Sequence, residues 1–133
     1  MGTSFTTNEI KEILARCDHT LLAQTATLDQ IKALCDDAVK FKTASVCIPP
    51  CYVRDAAEYL NGQLPVCTVI GFPNGYMTTE TKIYETRDAV ARGADEIDVV
   101  INVGFLKDKR FGALIDELRA VRVACRDRVL KVI

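Results

Sequence analysis

The sequence has no tryptophan, one histidine and two methionines, and aromatic residues make up only 7% of its 133 residues. It has no apolar run close to the roughly 18 residues that a membrane-spanning helix needs. Neither sign of charge is in excess, because 17 Lys and Arg oppose 18 Asp and Glu, so no basic surface is available for a phosphate backbone. These absences argue against a membrane protein or a nucleic-acid-binding protein, and they favour a single domain, residues 1–133, that binds small molecules.

The six cysteines do not form a metal-binding motif. They lie mostly within apolar runs, their tightest spacing is Cys47-x3-Cys51, and the single histidine, His19, has no cysteine or serine partner at a recognisable spacing. We therefore expect buried free thiols, a structural role for His19 and no metal. The polar start, Met1 to Asn8, lacks the charged and apolar segments of a secretion signal, so we expect a cytoplasmic protein.

The order of secondary structure predicts parallel βα units. Thr6 and Glu9 have the spacing of a capping box and predict an N-terminal helix that covers one end of the fold. Short β-branched runs then alternate with segments of helical periodicity, which is typical of a parallel sheet with right-handed crossovers. We predict five strands at residues 17–22, 44–48, 66–70, 96–101 and 129–133, joined by four crossover helices. One of these helices opens at Thr27, with Gln30 three residues on, and another runs from about residue 79 to residue 92 and is stopped by Gly93. This is more than half of an eight-stranded barrel.

Four stretches resemble the deoxyribose-phosphate aldolase family, a class I aldolase family, in this order and at these spacings. They are CDHTLL at 17–22, ASVCIP at 44–49, TVIGFPNG at 68–75 and GADEIDVV at 93–100, and the final LKVI resembles the start of the family's fifth strand. The resemblance implies an α/β fold, here part of a (β/α)8 TIM barrel. It also implies a cofactor-free lyase that cleaves 2-deoxyribose 5-phosphate reversibly to acetaldehyde and glyceraldehyde 3-phosphate through a Schiff base.

In the family, the Schiff-base lysine lies on strand six, and a second lysine, which tunes its pKa, lies on strand seven. The sequence is therefore expected to be the N-terminal part of such an enzyme, ending at its fifth strand, and to be inactive alone. The resemblance makes Asp98 a catalytic residue that relays protons through a bound water, and the alternative is a buried acid paired with Lys131. It places Lys131 in a polar cluster near the Schiff base. A structural charge partner and, less favoured, the nucleophile itself are alternative roles for Lys131.

The resemblance implies substrate-binding roles for five further residues. Asp18 and Thr20 alternate onto one face of the first strand and would orient the substrate, unless they only form a polar plug in the barrel mouth. Cys47 matches a family cysteine near the aldehyde, although a buried thiol is inert unless its pKa is lowered. Phe72 would shield the site from water, and Leu22 completes the substrate-binding set.

Two alternatives remain open. One is a non-catalytic barrel fragment that associates with itself or with a complementing C-terminal half, because unpaired hydrophobic edge strands favour association. The other is a doubly wound α/β domain, although the sequence lacks a glycine-rich phosphate loop. For the aldolase, the expected partners are a small phosphorylated sugar or aldehyde and further copies of the chain.

Overall fold

The described part of the protein, residues 5–133 of a computed structural model, forms one parallel sheet surrounded by helices. The first four residues of the polar start lie outside this range. The strands follow chain order across the sheet, and each pairs in parallel with the next. They are β1 (Asp18–Thr20), β2 (Ser45–Ile48), β3 (Val66–Ile70), β4 (Glu96–Val99) and β5 (Val129–Val132).

Helices connect the strands, as the alternating sequence pattern predicts. They are α1 (Thr7–Leu14), α2 (Leu28–Phe41), α3 (Val53–Leu60), α4 (Thr79–Arg92), α5 (Val103–Lys107) and α6 (Phe111–Cys125), and a 3-10 turn (Pro50–Tyr52) precedes α3. Within residues 5–133, no helix is both long enough and apolar enough to cross a bilayer.

Side-chain caps fix where the first two helices begin. The Thr6 hydroxyl accepts the Glu9 amide at 3.3 Å, and the Glu9 carboxylate accepts the Thr6 amide at 2.7 Å, which completes the predicted capping box. Thr27 and Gln30 repeat the motif at the start of α2. At the other end of α4, Gly93 has φ +108, a left-handed conformation that favours glycine and stops the helix where the sequence predicted.

Three expectations need correction. The first and fourth strands are shorter than predicted, since β1 covers only Asp18–Thr20 and β4 ends at Val99, where the chain turns into loops above the sheet. The connection from β4 to β5 holds two helices instead of one, because Asn102 caps an extra short helix, α5. Not all the cysteines are buried as expected, because Cys17 and Cys51 are exposed.

The hydrophobic core fills the space between the helices and the outer face of the sheet. Its fully buried members include Ile31 and Cys35 on α2, Ile48 on β2 and Ile70 on β3. Burying an isoleucine side chain stabilises a fold by about 1.5–3 kcal/mol. The outer face is therefore held by apolar packing, which leaves the inner face free to carry polar groups.

A fully buried ion pair ties α4 to α6. Lys82 donates to Glu117 at 2.7 Å and to the Val100 carbonyl at 2.9 Å, and the side chains of Lys82 and Glu117 are 0% and 1% exposed. Thr79 donates to the second oxygen of Glu117 at 3.4 Å. These bonds anchor the chain immediately after β4, next to the inner face where Asp98 lies.

Candidate active site

The sheet is strongly curled, and one ion pair demonstrates the curvature. Four strand-to-strand steps of about 4.8 Å would place β1 and β5 roughly 19 Å apart in a flat sheet. Lys131 on β5 nevertheless donates to Asp18 on β1 at 2.7 Å. The two side chains meet only because both point into the concave side, as they would in the interior of a barrel.

Lys131 is the centre of a cluster of acids on this concave side. Its ammonium lies 2.7 Å from Asp18, 2.9 Å from Glu96 and 3.1 Å from Asp98. It also donates to the Cys67 sulfur at 3.5 Å. The structure therefore brings Asp18, Asp98 and Lys131 together, although they are far apart in the sequence.

Opposite charges shift the pKa values in this cluster. Burial alone would lower the pKa of Lys131, but its hydrogen bonds to Asp18 and Glu96 raise that pKa above its ordinary value. Burial alone would raise the pKa of Asp18, but hydrogen bonds from Lys131 and from the Ser45 hydroxyl, which lies 2.7 Å away, hold that pKa below its ordinary value. These contacts favour the ammonium form of Lys131, which has no lone pair and therefore opposes a role as a nucleophile.

Asp98 has an oxygen that is available to accept a further hydrogen bond. Its Oδ1 is buried and has no hydrogen-bond partner within residues 5–133. The Lys131 ammonium is 3.1 Å away, but the contact lacks the angles of a hydrogen bond, so it supplies charge without satisfying the lone pair. A water molecule or a substrate hydroxyl could donate to this oxygen, which is what a proton-relaying carboxylate requires.

Two thiols lie beside the carboxylates. Cys47 and Cys67 are paired residues of β2 and β3, both are buried, and Leu22 and Val69 pack against them. A hydrogen bond from the Cys67 thiol lowers the pKa of Cys47, while burial and the charge of Asp98 oppose this shift. The same contact, together with burial, raises the pKa of Cys67. Cys47 is therefore the thiol better placed to ionise.

Two predicted substrate-binding residues lie outside this cluster. The exposed Thr20 donates its hydroxyl to the Asp18 carbonyl at 2.8 Å, so the contact shown for it is local. Phe72 is also exposed and lies in the loop after β3. That loop is anchored by the Gly71 amide, which donates to Glu85 at 2.8 Å. The shielding role expected of Phe72 stays a prediction.

Three members of the cluster were not selected from the sequence. Glu96 precedes Asp98 by two residues, so the two-residue repeat of a strand places both on one face and could have identified it. Ser45 likewise precedes Cys47 by two residues on β2, so the same repeat could have identified it. Cys67 carried no such signal, because an isolated cysteine inside an apolar strand is typical of a core residue.

An apolar cleft elsewhere contains none of these groups. It lies between α1 and the end of α2 and is lined by Ile10, Leu14 and Phe41 among others. The polar cluster, rather than this cleft, contains the groups that are able to perform chemistry.

Comparisons with known proteins identify the family of this chain. A family model described as DeoC/LacD family aldolase matches residues 12–133. The chain is 54% identical over 125 residues to the deoxyribose-phosphate aldolase of Streptococcus agalactiae serotype Ia. This alignment covers 94% of the chain and 56% of that protein. The chain thus spans about half the length of the curated relatives it matches.

Solved structures give the same result. A protein from Coccidioides immitis assigned as a deoxyribose-phosphate aldolase matches with a TM-score of 0.90 and 40% identity, over 96% of this chain and 51% of that one. The deoxyribose phosphate aldolase of Aeropyrum pernix, described as a tetramer, matches with a TM-score of 0.80 and 25% identity, over 94% of this chain and 53% of that one.

Proposed function

The chain belongs to the DeoC/LacD family of aldolases, and from this premise we propose that it supplies the proton-transfer side of a deoxyribose-phosphate aldolase site. The reaction is the reversible cleavage of 2-deoxyribose 5-phosphate to acetaldehyde and glyceraldehyde 3-phosphate. The observation that carries this proposal is the contact of Lys131 with Asp18, Glu96 and Asp98 on the concave side of the sheet. An aldolase needs an acid–base group at such a position.

In this mechanism, Asp98 moves protons and Lys131 supplies a positive charge beside it. A lysine amine condenses with the aldehyde carbonyl and releases water, and the resulting iminium loses a proton from the neighbouring carbon to give an enamine. The unsatisfied oxygen of Asp98 accepts that proton through a water molecule. The family resemblance assigns the condensing lysine to a sixth strand, and residues 5–133 form strands one to five.

The remaining candidates would line the space around the aldehyde. Asp18 is fixed by Ser45 and Lys131 and is suited to accept a substrate hydroxyl. Cys47 and Leu22 bound the apolar part of the cluster. Thr20 and Phe72 contribute above it, Phe72 by limiting the access of water. A small phosphorylated sugar or aldehyde is the substrate class that these groups suit, and the chemistry calls for no organic cofactor.

Reductive trapping tests the aldolase proposal. The chain is mixed with the C-terminal part of the Streptococcus agalactiae relative, the part that lies outside the alignment. The mixture is incubated with acetaldehyde and borohydride, and the masses of both proteins are then measured by mass spectrometry. We expect an adduct on a lysine of the added part and cleavage of 2-deoxyribose 5-phosphate by the mixture. Adduct formation mainly on Lys131 would contradict the proposal.

Asp98→Asn provides the decisive variant. It removes a proton acceptor, so cleavage by the mixture should fall by about 10²-fold or more. Asp37→Asn alters an exposed carboxylate on α2 and serves as the matched control, with unchanged cleavage. Equal rates for the two variants would remove Asp98 from the mechanism.

We also propose that the chain associates, either with itself or with a complementing C-terminal half. Val129 and Val132 on the edge strand β5 are about half exposed, at 51% and 52%, and exposed apolar edges favour pairing. Light scattering after gel filtration measures this directly. A chain that stays monomeric at high concentration and binds no C-terminal half would contradict association. A stable oligomer that never cleaves substrate, even with the added part, would favour a non-catalytic fragment.

A further inference from the structure

Cys47, Cys67 and Asp98 present their side chains to one another on the concave side of three neighbouring strands. One sulfur or carboxylate oxygen from each residue lies within 4.8 Å of those from the other two. Cys47 pairs with Cys67 across β2 and β3, and Asp98 on β4 pairs with Val69, two residues beyond Cys67. Because all three positions lie on paired strands, the backbone holds these donor atoms close together before any ligand binds.

Asp98 also has capacity for a ligand. Its side chain is only 14% exposed, and its buried Oδ1 has no hydrogen-bond partner among residues 5–133. A buried carboxylate oxygen without a partner is costly unless something occupies it. A cation placed between Asp98 and the two sulfurs would satisfy this oxygen.

The charge of the cluster favours a divalent cation. Three carboxylates surround one ammonium, which gives a net charge of −2 when both thiols are protonated. A divalent ion that displaces both thiol protons leaves that net charge unchanged. Lys131 would lose Asp98 as a partner but keep Asp18 at 2.7 Å and Glu96 at 2.9 Å, and these two carboxylates offset its repulsion of the ion.

We propose that the sulfurs of Cys47 and Cys67 and the Oδ1 of Asp98 bind one soft divalent metal ion of the zinc class, with its fourth position open to water. Tetrahedral zinc holds sulfur at about 2.3 Å and oxygen at about 2.1 Å, so its ligand atoms lie roughly 3.5–3.8 Å apart. Because the donor atoms lie within 4.8 Å of one another, rotation of the side chains has to close at most about 1 Å between the sulfurs. Two thiolates select zinc or cadmium over magnesium or calcium.

Metal binding replaces the two thiol protons. Lys131 donates to the Cys67 sulfur at 3.5 Å, and its positive charge offsets part of the negative charge that two thiolates bring. Binding exchanges two S–H protons for two metal–sulfur bonds, and the protons pass to solvent, so no oxidant or reductant is involved. Sequence spacing gave no indication of this site, because 20 residues separate the two cysteines and only the parallel register of β2 and β3 brings them together.

Metal binding would compete with the proposed aldolase step. An ion on Asp98 occupies the oxygen that accepts the proton, so zinc should inhibit cleavage reversibly. This consequence rests on the proposed function, whereas metal binding itself does not, and the two are tested separately.

Titration of the reduced chain with cobalt(II) tests the site without any activity assay. We expect one equivalent to bind and to produce a near-ultraviolet thiolate-to-cobalt charge-transfer band, which one equivalent of zinc removes. Cys47→Ser and Cys67→Ser should each weaken binding at least tenfold and reduce the band. Asp98→Asn should weaken binding about tenfold but keep the band, because both sulfurs remain. Cys51→Ser alters an exposed cysteine and should titrate like the wild type.

Two results would overturn the site: the absence of a band in the wild-type chain, or an unchanged band when Cys47 and Cys67 are both replaced by serine. Circular dichroism verifies that each variant is folded. Where a variant does not fold, cadmium NMR of the wild-type chain decides the question instead. A chemical shift in the range of two-sulfur coordination supports the site, and a shift typical of oxygen ligands alone refutes it.

Discussion

Replacing Lys82 by methionine should be among the most damaging single changes to this fold. Lys82 and Glu117 form an ion pair with side chains that are 0% and 1% exposed, and Lys82 also donates to the Val100 carbonyl at 2.9 Å. Methionine keeps most of the length of the side chain but removes its charge and its donors. Glu117 is then left as a buried carboxylate whose only remaining partner among residues 5–133 is Thr79, at 3.4 Å.

The expected loss follows from the burial of both partners. Removing one member of a buried ion pair destabilises a protein by about 3–5 kcal/mol, because the other charge stays buried without compensation. With a urea dependence of about 2 kcal/mol per molar, the unfolding midpoint should fall by roughly 2 M. The double variant Lys82→Met/Glu117→Leu removes both charges and should recover at least half of this loss, since apolar replacements of a buried pair are often neutral.

Urea unfolding followed by circular dichroism measures all three proteins. Arg119→Met is the control, because Arg119 and Asp116 form an ion pair that is about three-quarters exposed, and its midpoint should match that of the wild type. A single variant that loses less than about 1 kcal/mol would refute the argument from burial. So would a double variant that is no more stable than Lys82→Met.

Three further predictions concern the turn after β3 and the charge cluster. Gly75→Ala should lower the unfolding midpoint much more than Gly62→Ala, although both glycines have positive φ. A Cβ at position 75 would lie 2.0 Å from the Ile101 carbonyl oxygen, whereas a Cβ at position 62 would have no atom within 4 Å. The lowered pKa of Asp18 contributes stability that is present above its ordinary pKa and disappears as pH falls through the lowered value. The melting temperature of Asp18→Asn should therefore fall less on acidification than that of the wild type. Lys131→Met should melt at a lower temperature at neutral pH, because three carboxylates then lose their shared ammonium. The difference from the wild type should narrow in acid, because the stability that Lys131 gives through Asp18 disappears as pH falls through the lowered pKa of Asp18.

Local sequence signals predicted the elements that depend on local chemistry. The bounds of β3 and α4 match the prediction, since a continuous β-branched run and the glycine at position 93 define them. The Thr6–Glu9 and Thr27–Gln30 capping boxes form as expected. The short helix α5 was missed because five residues carry too little periodicity, although Asn102 is a suitable cap.

The contacts of the site required three-dimensional information. Alternation along a strand indicates which residues share a face, and it could have placed Glu96 on the same side as Asp98. It does not indicate that β1 lies opposite β5, which depends on how strongly the sheet curls. The contact between Lys131 and Asp18 and the pairing of Cys47 with Cys67 follow from curvature and register, so neither could be predicted from residue spacing.

The composition of the cluster argues for a role beyond structure. One carboxylate is enough to balance the charge of an ammonium, whereas Lys131 lies beside three, so the concave side carries an excess of negative charge. Such an excess is useful where a proton or a cation is exchanged, and both proposals place that exchange at Asp98. A variant of Glu96 distinguishes the effect of the cluster's charge from the effect of the Asp98 oxygen that would bind the metal. Glu96→Gln removes one negative charge while Asp98 keeps its free oxygen, so it should weaken cobalt binding by charge alone and leave the charge-transfer band intact.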